Sequence, residues 1–277
     1  MAQHNNSRAL LATCVAAAAR AAEIIRRGAA ARHSLTWELK SQTDFVSDVD
    51  RDSERAIAET VAERHPDARL LGEEFSPSMA DRSGIVFIAD PLDGTTNFLH
   101  GFPWYAVSIA ALVDGELIAG AVLNAATGEL FTATAGGGAR RNGQPITVSP
   151  ITDPTRALIG TGFPFKDPHH IERYIDSLPV LMRESAGLRR PGSAALDLAD
   201  VACGRFEAFW ELSLAPWDIA AGILLIREAG GVITDLAGQP CPVAHTGVIA
   251  GNSYMHEWLF ERVKGERQTA SAKGGGA

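Results

Sequence analysis

The 277-residue chain is poor in cysteine, and the three it has, Cys14, Cys203 and Cys241, form no Cys-x-x-Cys pair. An odd set of widely spaced cysteines excludes a disulfide framework and a zinc knuckle, and points to a reducing, cytoplasmic setting. Surplus positive charge is also missing: 25 Lys and Arg stand against 33 Asp and Glu, a formal net charge of -8. An acidic chain gains little from a phosphate backbone, so no DNA partner is expected. No apolar run is long enough to span a bilayer, so no membrane partner is expected either. Leu11 to Cys14 loosely imitates a lipoprotein cleavage site, but Arg20 and Glu23 follow soon after. That segment reads better as an amphipathic helix of the mature protein.

What is present is an alternation of helical and strand-like segments, an α/β composition. A helix is expected from Ser7 to Arg27, closed by Gly28, then a polar stretch from Leu39 to Asp50. A second helix should run from Asp50 to Arg64 and end before Pro66. Ile85-Val86-Phe87-Ile88-Ala89 reads as a strand buried on both faces and stopped by Pro91. Asp114-Gly115 marks a hairpin between two further strands. Beyond Pro150 strands alternate with helices near 169–184, 193–203, 216–229 and 256–263. The expected organisation is an N-terminal α+β half (1–150) carrying most candidate ligands and a C-terminal α/β half (151–264). The two form one structural unit, and the small, polar, Gly-rich 265–277 is read as a disordered tail.

The strongest local signal is Asp90-Pro91-Leu92-Asp93-Gly94-Thr95. It follows the buried strand directly, so Asp90 sits at a strand's carboxyl end, where open α/β sheets place ligands. Gly94 allows close backbone approach, and a short helix starting there would aim the N–H groups of Gly94, Thr95 and Thr96 at an anion. Two carboxylates and an anion cradle together suit phosphoryl chemistry, because divalent metals bridge carboxylates and phosphate oxygens. The plainer alternative is an Asp-Gly turn. Taken singly, Glu73-Glu74 reads as a solvated loop, and Asp218 and Asp50 as helix caps. Taken together, they put four or five carboxylates at element ends. A haloacid-dehalogenase site is disfavoured, because Asp90 and Asp93 are one residue too far apart for its Asp-x-Asp pattern.

With Gly72-Glu73-Glu74, the run from Asp90 to Phe98 and Trp217-Asp218-Ile219-Ala220-Ala221-Gly222, the chain resembles the inositol monophosphatase family. Gly160 to Phe165, Arg189 to Leu198 and Pro216-Trp217-Asp218 make it most similar to the bacterial inositol-1-monophosphatases. The resemblance implies a layered αβαβα sandwich, two to three Mg2+ ions, lithium sensitivity and a homodimer. It implies that Glu73, Asp90 and the Leu92 carbonyl hold one metal, that Asp90, Asp93 and Asp218 hold a second, and that Glu73 helps with a third. Thr95, oriented by Asp50, would join Glu73 in activating the attacking water. Asp93, Gly94, Thr95, Thr96, Ser193, Ala194, Glu211 and Asp218 would contact a small phosphorylated polyol, with Lys40 near the site. Around Asp50 the family often has Thr, where this chain has Ser47, Asp48 and Val49.

The expected reaction is hydrolysis of inositol-1-phosphate. The same metal chemistry also serves histidinol phosphate, 3',5'-bisphosphate nucleotides and fructose-1,6-bisphosphate. Glu211 favours a polyol, since a carboxylate accepts hydrogen bonds from neighbouring hydroxyls. Phe163, Phe165 and Trp210 could form a slot for a nucleobase but read first as core residues. A regulatory, protein-binding module is the non-enzymatic alternative.

Overall fold

The computed structural model describes residues 2–32, 37–41, 44–76, 78, 81–165 and 167–264. The tail expected to be disordered lies outside them. In chain order the elements are α1 (Ala2–Ala30), β1 (Trp37–Ser41), β2 (Asp44–Ser47), α2 (Asp48–Arg64), β3 (Arg69–Gly72), β4 (Ile85–Asp93) and α3 (Thr95–His100). Then follow β5 (Ala106–Val113), β6 (Glu116–Asn124), β7 (Leu130–Thr134), β8 (Gly138–Arg141), β9 (Gln144–Ile146) and β10 (Leu158–Thr161). The chain continues with α4 (Ile171–Glu184), β11 (Gly187–Arg189), α5 (Ala194–Ala202), β12 (Ala208–Leu214), α6 (Pro216–Glu228), β13 (Val232–Thr234), β14 (Thr246–Gly251) and α7 (Ser253–Val263).

Two large sheets organise the molecule. A seven-stranded sheet runs β3-β4-β5-β6-β7-β8-β9, and a five-stranded sheet runs β11-β10-β12-β14-β13. Helices α1 and α2 cover the outer face of the first sheet, α5 and α6 pack between the sheets, and α4 and α7 cover the outer face of the second. This is the layered αβαβα arrangement. The sequence pattern accounts for each layer. Helix α6 is apolar on nearly every side, with Ile219 to Ile226 all buried, as a helix between two sheets must be. Strand β4 is buried from Val86 to Leu92 because helices cover both its faces. The middle layer and the facing sides of both sheets form one apolar cluster, which includes Val86, Phe131, Leu198, Phe209 and Leu224.

Two expectations need correction. Helix α1 passes through Gly28 instead of ending there, because Gly28 lies against Val49 and Phe98, and a Cβ would come within 2.6 Å of Val49 Cγ2. Close packing, and not a turn, sets the glycine. Pro91 does not end β4: the strand runs on to Asp93 and the pairing with β5 breaks register between Asp90 and Asp93. That break re-aims the side chains at the strand's end, as bulges near active sites do. The polar stretch before α2 is in part a strand pair, β1 with β2, antiparallel. Lys40 lies in β1, with its side chain outside what the structure describes.

Candidate active site

Strand β4 delivers Asp90 into the protein interior and Asp93 to the start of a cleft. The register break lets both carboxylates face the same space, with Asp90 2% exposed and Asp93 half-buried. Gly94 turns the chain with φ +91°, and a Cβ there would approach the Trp104 carbonyl at 3.0 Å, so both the backbone and its neighbour require glycine. Helix α3 begins at once and is anchored by Phe98, which is fully buried edge-on against Tyr105. Asp218 comes from the opposite half, in the first turn of α6. Its Oδ2 accepts the N–H of Ala215 at 2.7 Å, so it caps the helix and faces the cleft at once. Asp90, Asp93 and Asp218 each offer an oxygen within 4.8 Å of the others.

Glu73 stands outside that tight trio but lines the same cleft of roughly 370 Å³. Its loop is held from below by Glu54, 1% exposed, which accepts the N–H groups of Glu74 at 2.6 Å and Phe75 at 3.0 Å. Burial, and then the charges of Glu73, Asp93 and Asp218, push the Asp90 carboxyl well above the usual carboxylate range. So many like charges around a buried site cost free energy unless a cation neutralises them. Arg190 is the one basic residue among the described lining residues, and its guanidinium lies over the rings of Phe163 and Phe165 at 5.3 and 5.2 Å. A cluster of hard carboxylate oxygens of this kind fits divalent ions of the Mg2+ type.

Thr95 Oγ1 lies 3.0 Å from Asp50 Oδ1 and 3.0 Å from the Leu92 carbonyl oxygen, and can donate its one proton to either. The other oxygen of Asp50 accepts the N–H and hydroxyl of Ser47 at 2.8 and 2.6 Å. Asp50 is thereby fixed in one orientation, and its burial raises its pKa. Across the cleft, Ser193 Oγ and the Ala195 N–H both donate to Asp93 Oδ2, at 2.5 and 2.8 Å. Asn97 ties the walls together: its amide donates to the carbonyls of Trp104 at 2.7 Å, Pro191 at 2.8 Å and Gly192 at 3.3 Å.

Residues 6–268 match the inositol monophosphatase family. The chain belongs to that family. It is 43% identical to an inositol-1-monophosphatase of Rhizobium meliloti, over 92% of this chain and 96% of that protein. It is 40% identical to the protein named Nus factor SuhB of Pseudomonas aeruginosa, again over 92% of this chain and 96% of the relative. Among solved structures, the extragenic suppressor protein suhB of Bartonella henselae superposes with a TM-score of 0.87 at 40% identity, covering 92% of this chain and 98% of that one.

Of the residues the family resemblance singled out, the cleft brings together Glu73, Asp90, Leu92, Asp93, Gly94, Thr95, Thr96, Ser193, Ala194, Glu211 and Asp218. Asp50 reaches it through Thr95. Two of the aromatic readings need correction: Trp210 is fully buried, but Phe163 and Phe165 are exposed, at 40% and 54%, and line the cleft. Sequence reasoning missed Asp197. This carboxylate is 1% exposed and its Oδ1 has no hydrogen-bond partner among the described residues. Burial, with the charges of Glu211, Asp93 and Asp200, raises it well above the carboxylate range, eased by the Trp104 side chain. Its position in an apolar helix, Ala194-Ala195-Leu196-Asp197-Leu198, was the available signal, since an acid there has no solvated face to occupy.

Proposed function

We propose that the protein is a Mg2+-dependent phosphomonoesterase that hydrolyses inositol-1-phosphate or a closely similar polyol phosphate. The observation that carries this reading is the convergence of Asp90, Asp93 and Asp218 within 4.8 Å, in a cleft that also holds Glu73 and the Thr95–Asp50 pair. Glu73, Asp90, Asp93, Asp218 and the Leu92 carbonyl would hold the ions. When bound, the ions supply Lewis-acid charge and lower the pKa of water. Thr95 and Glu73 orient the attacking water; its proton goes to the Glu73 carboxylate, or to Asp50 by way of the Thr95 hydroxyl, which hands its own proton on as it accepts one. The first-turn N–H groups of α3 have no intrahelical partner, so those of Thr95 and Thr96, with that of Gly94, bind phosphate oxygens. Glu211, with Ser193 and Ala194, meets the polyol. Glu211 is seated over Gly162, where a Cβ would lie 2.0 Å from its Oε2.

The test is phosphate release from inositol-1-phosphate, histidinol phosphate, 3'-phosphoadenosine 5'-phosphate and fructose-1,6-bisphosphate, with Mg2+ and with Li+ added. Faster release from inositol-1-phosphate, lost without Mg2+ and inhibited by Li+, is the expected result. A strong preference for any other member of the panel replaces the polyol reading. A relative named as a Nus factor favours a second reading, in which the protein binds a protein partner. Asp90→Asn separates the two, because binding survives where turnover does not.

A further inference from the structure

Ser213 lines the cleft and has no part in the chemistry above. It follows Glu211 by two residues on β12. Trp210 and Leu212 turn into the outer apolar cluster and Phe209 into the middle one, while Glu211 and Ser213 both line the cleft. The pairing of β12 with β14 breaks register between Glu211 and Leu214, which bends the strand at Ser213. Ser213 Oγ lies 2.8 Å from His245 Nε2, a residue just before β14. The serine is half-buried and the imidazole exposed, so the bond is formed at the water-facing rim. A solvent-facing bond of this kind adds little to stability, because water offers the same partners. What it does is hold a hydroxyl that would otherwise move among three rotamers.

We propose that Ser213, positioned by His245, is a specificity-determining residue that reads a hydroxyl of the polyol beside the one met by Glu211. The chemistry of the two groups is complementary. An ionised Glu211 can only accept, whereas a serine hydroxyl both donates and accepts. With His245 occupying one of those roles, the other is presented to the substrate. The ligand class is a phosphate ester carrying adjacent free hydroxyls. This inference rests on the polyol-phosphatase reading and sharpens it to a second point of contact.

The experiment compares inositol-1-phosphate with p-nitrophenyl phosphate, an ester without free hydroxyls, using the full chain with Mg2+. Ser213→Ala is expected to raise KM for inositol-1-phosphate about tenfold, with kcat and both p-nitrophenyl phosphate constants within about twofold of wild type. His245→Ala should shift KM in the same direction by a smaller factor. The double variant should match Ser213→Ala, since the histidine acts through the serine. Ser213→Thr, which keeps the hydroxyl, should restore most of the loss. If Ser213→Ala leaves the preference for inositol-1-phosphate intact, or changes both substrates by the same factor, the proposal is overturned while the phosphatase reading stands. If the wild-type protein itself shows no preference for the polyol ester, the polyol reading fails first and this proposal fails with it.

Discussion

The two walls of the cleft are built on different terms. The wall from the N-terminal half is a charged strand end: Asp90 and Asp93 leave β4 through a register break, and Thr95 and Asp50 lock together beside them. Its groups are crowded, and Asp90 and Asp50 are buried. The wall from the C-terminal half is mixed. Asp218 joins the acidic trio, but Glu211, Ser213, Phe163, Phe165 and Arg190 surround a more open space. The difference teaches that, under the proposed function, most of the chemistry falls to the first wall and selection to the Glu211 side of the second, with Asp218, Ser193 and Ala195 tying the two together.

The separation can be broken most sharply at Asp90. Asp90→Asn is expected to lower turnover at least ~10³-fold, as loss of a preorganised electrostatic group does. Because a strained charge is removed, melting without Mg2+ should hold steady or rise, while the stabilisation by added Mg2+ should vanish. Initial rates and melting curves with and without Mg2+ report both, and a variant that keeps half its activity would sink the site assignment. Thr95→Val takes one hydroxyl from the same wall. It should reduce kcat about 10²-fold with the Mg2+-induced melting shift retained, a loss in the range of a misdirected proton acceptor.

The second wall should respond in KM instead. Gly162→Ala puts a methyl group where the Glu211 carboxylate sits, so Glu211 must move. KM for inositol-1-phosphate is expected to rise about fivefold, with metal binding unchanged, because only uniform substrate binding is touched. An equal fall in kcat would show that the walls are coupled after all. The smallest effect is expected at Asp197, beneath both walls. Its folded pKa lies above its unfolded value, so the folded chain holds the proton more tightly, and that advantage is lost as pH climbs from about 4 through the raised value. Without metal, the melting temperature of Asp197→Asn should fall less steeply over that window, by about 2–4 °C across it. Parallel melting-versus-pH curves for the two proteins would remove Asp197 from the account.

The layered fold and most of the site were legible in the sequence because their signals are local. An all-apolar strand next to Asp90, and a Pro-Trp-Asp opening to an apolar helix, identify buried elements and the ends where ligands gather. The readings of Asp50 and Asp218 as helix caps and as site residues do not exclude each other, since each carboxylate has two oxygens and uses one to hold a backbone N–H. What stayed hidden depends on distant packing. Gly28 looked like a helix end because its neighbours Val49 and Phe98 are far along the chain. The Ser213–His245 contact spans 32 residues, and nothing local announces it. Phe163 and Phe165 read as core by type alone, whereas Arg190 holds them at the surface.

The Asn97 amide has a mechanical consequence. It clips the start of α3, next to the Gly94 turn, to the Pro191–Gly192 backbone of the other half. The two walls of the cleft are therefore pinned to each other by direct side-chain-to-backbone hydrogen bonds, so a displacement of the Pro191–Gly192 backbone pulls on the Asp93–Thr95 turn.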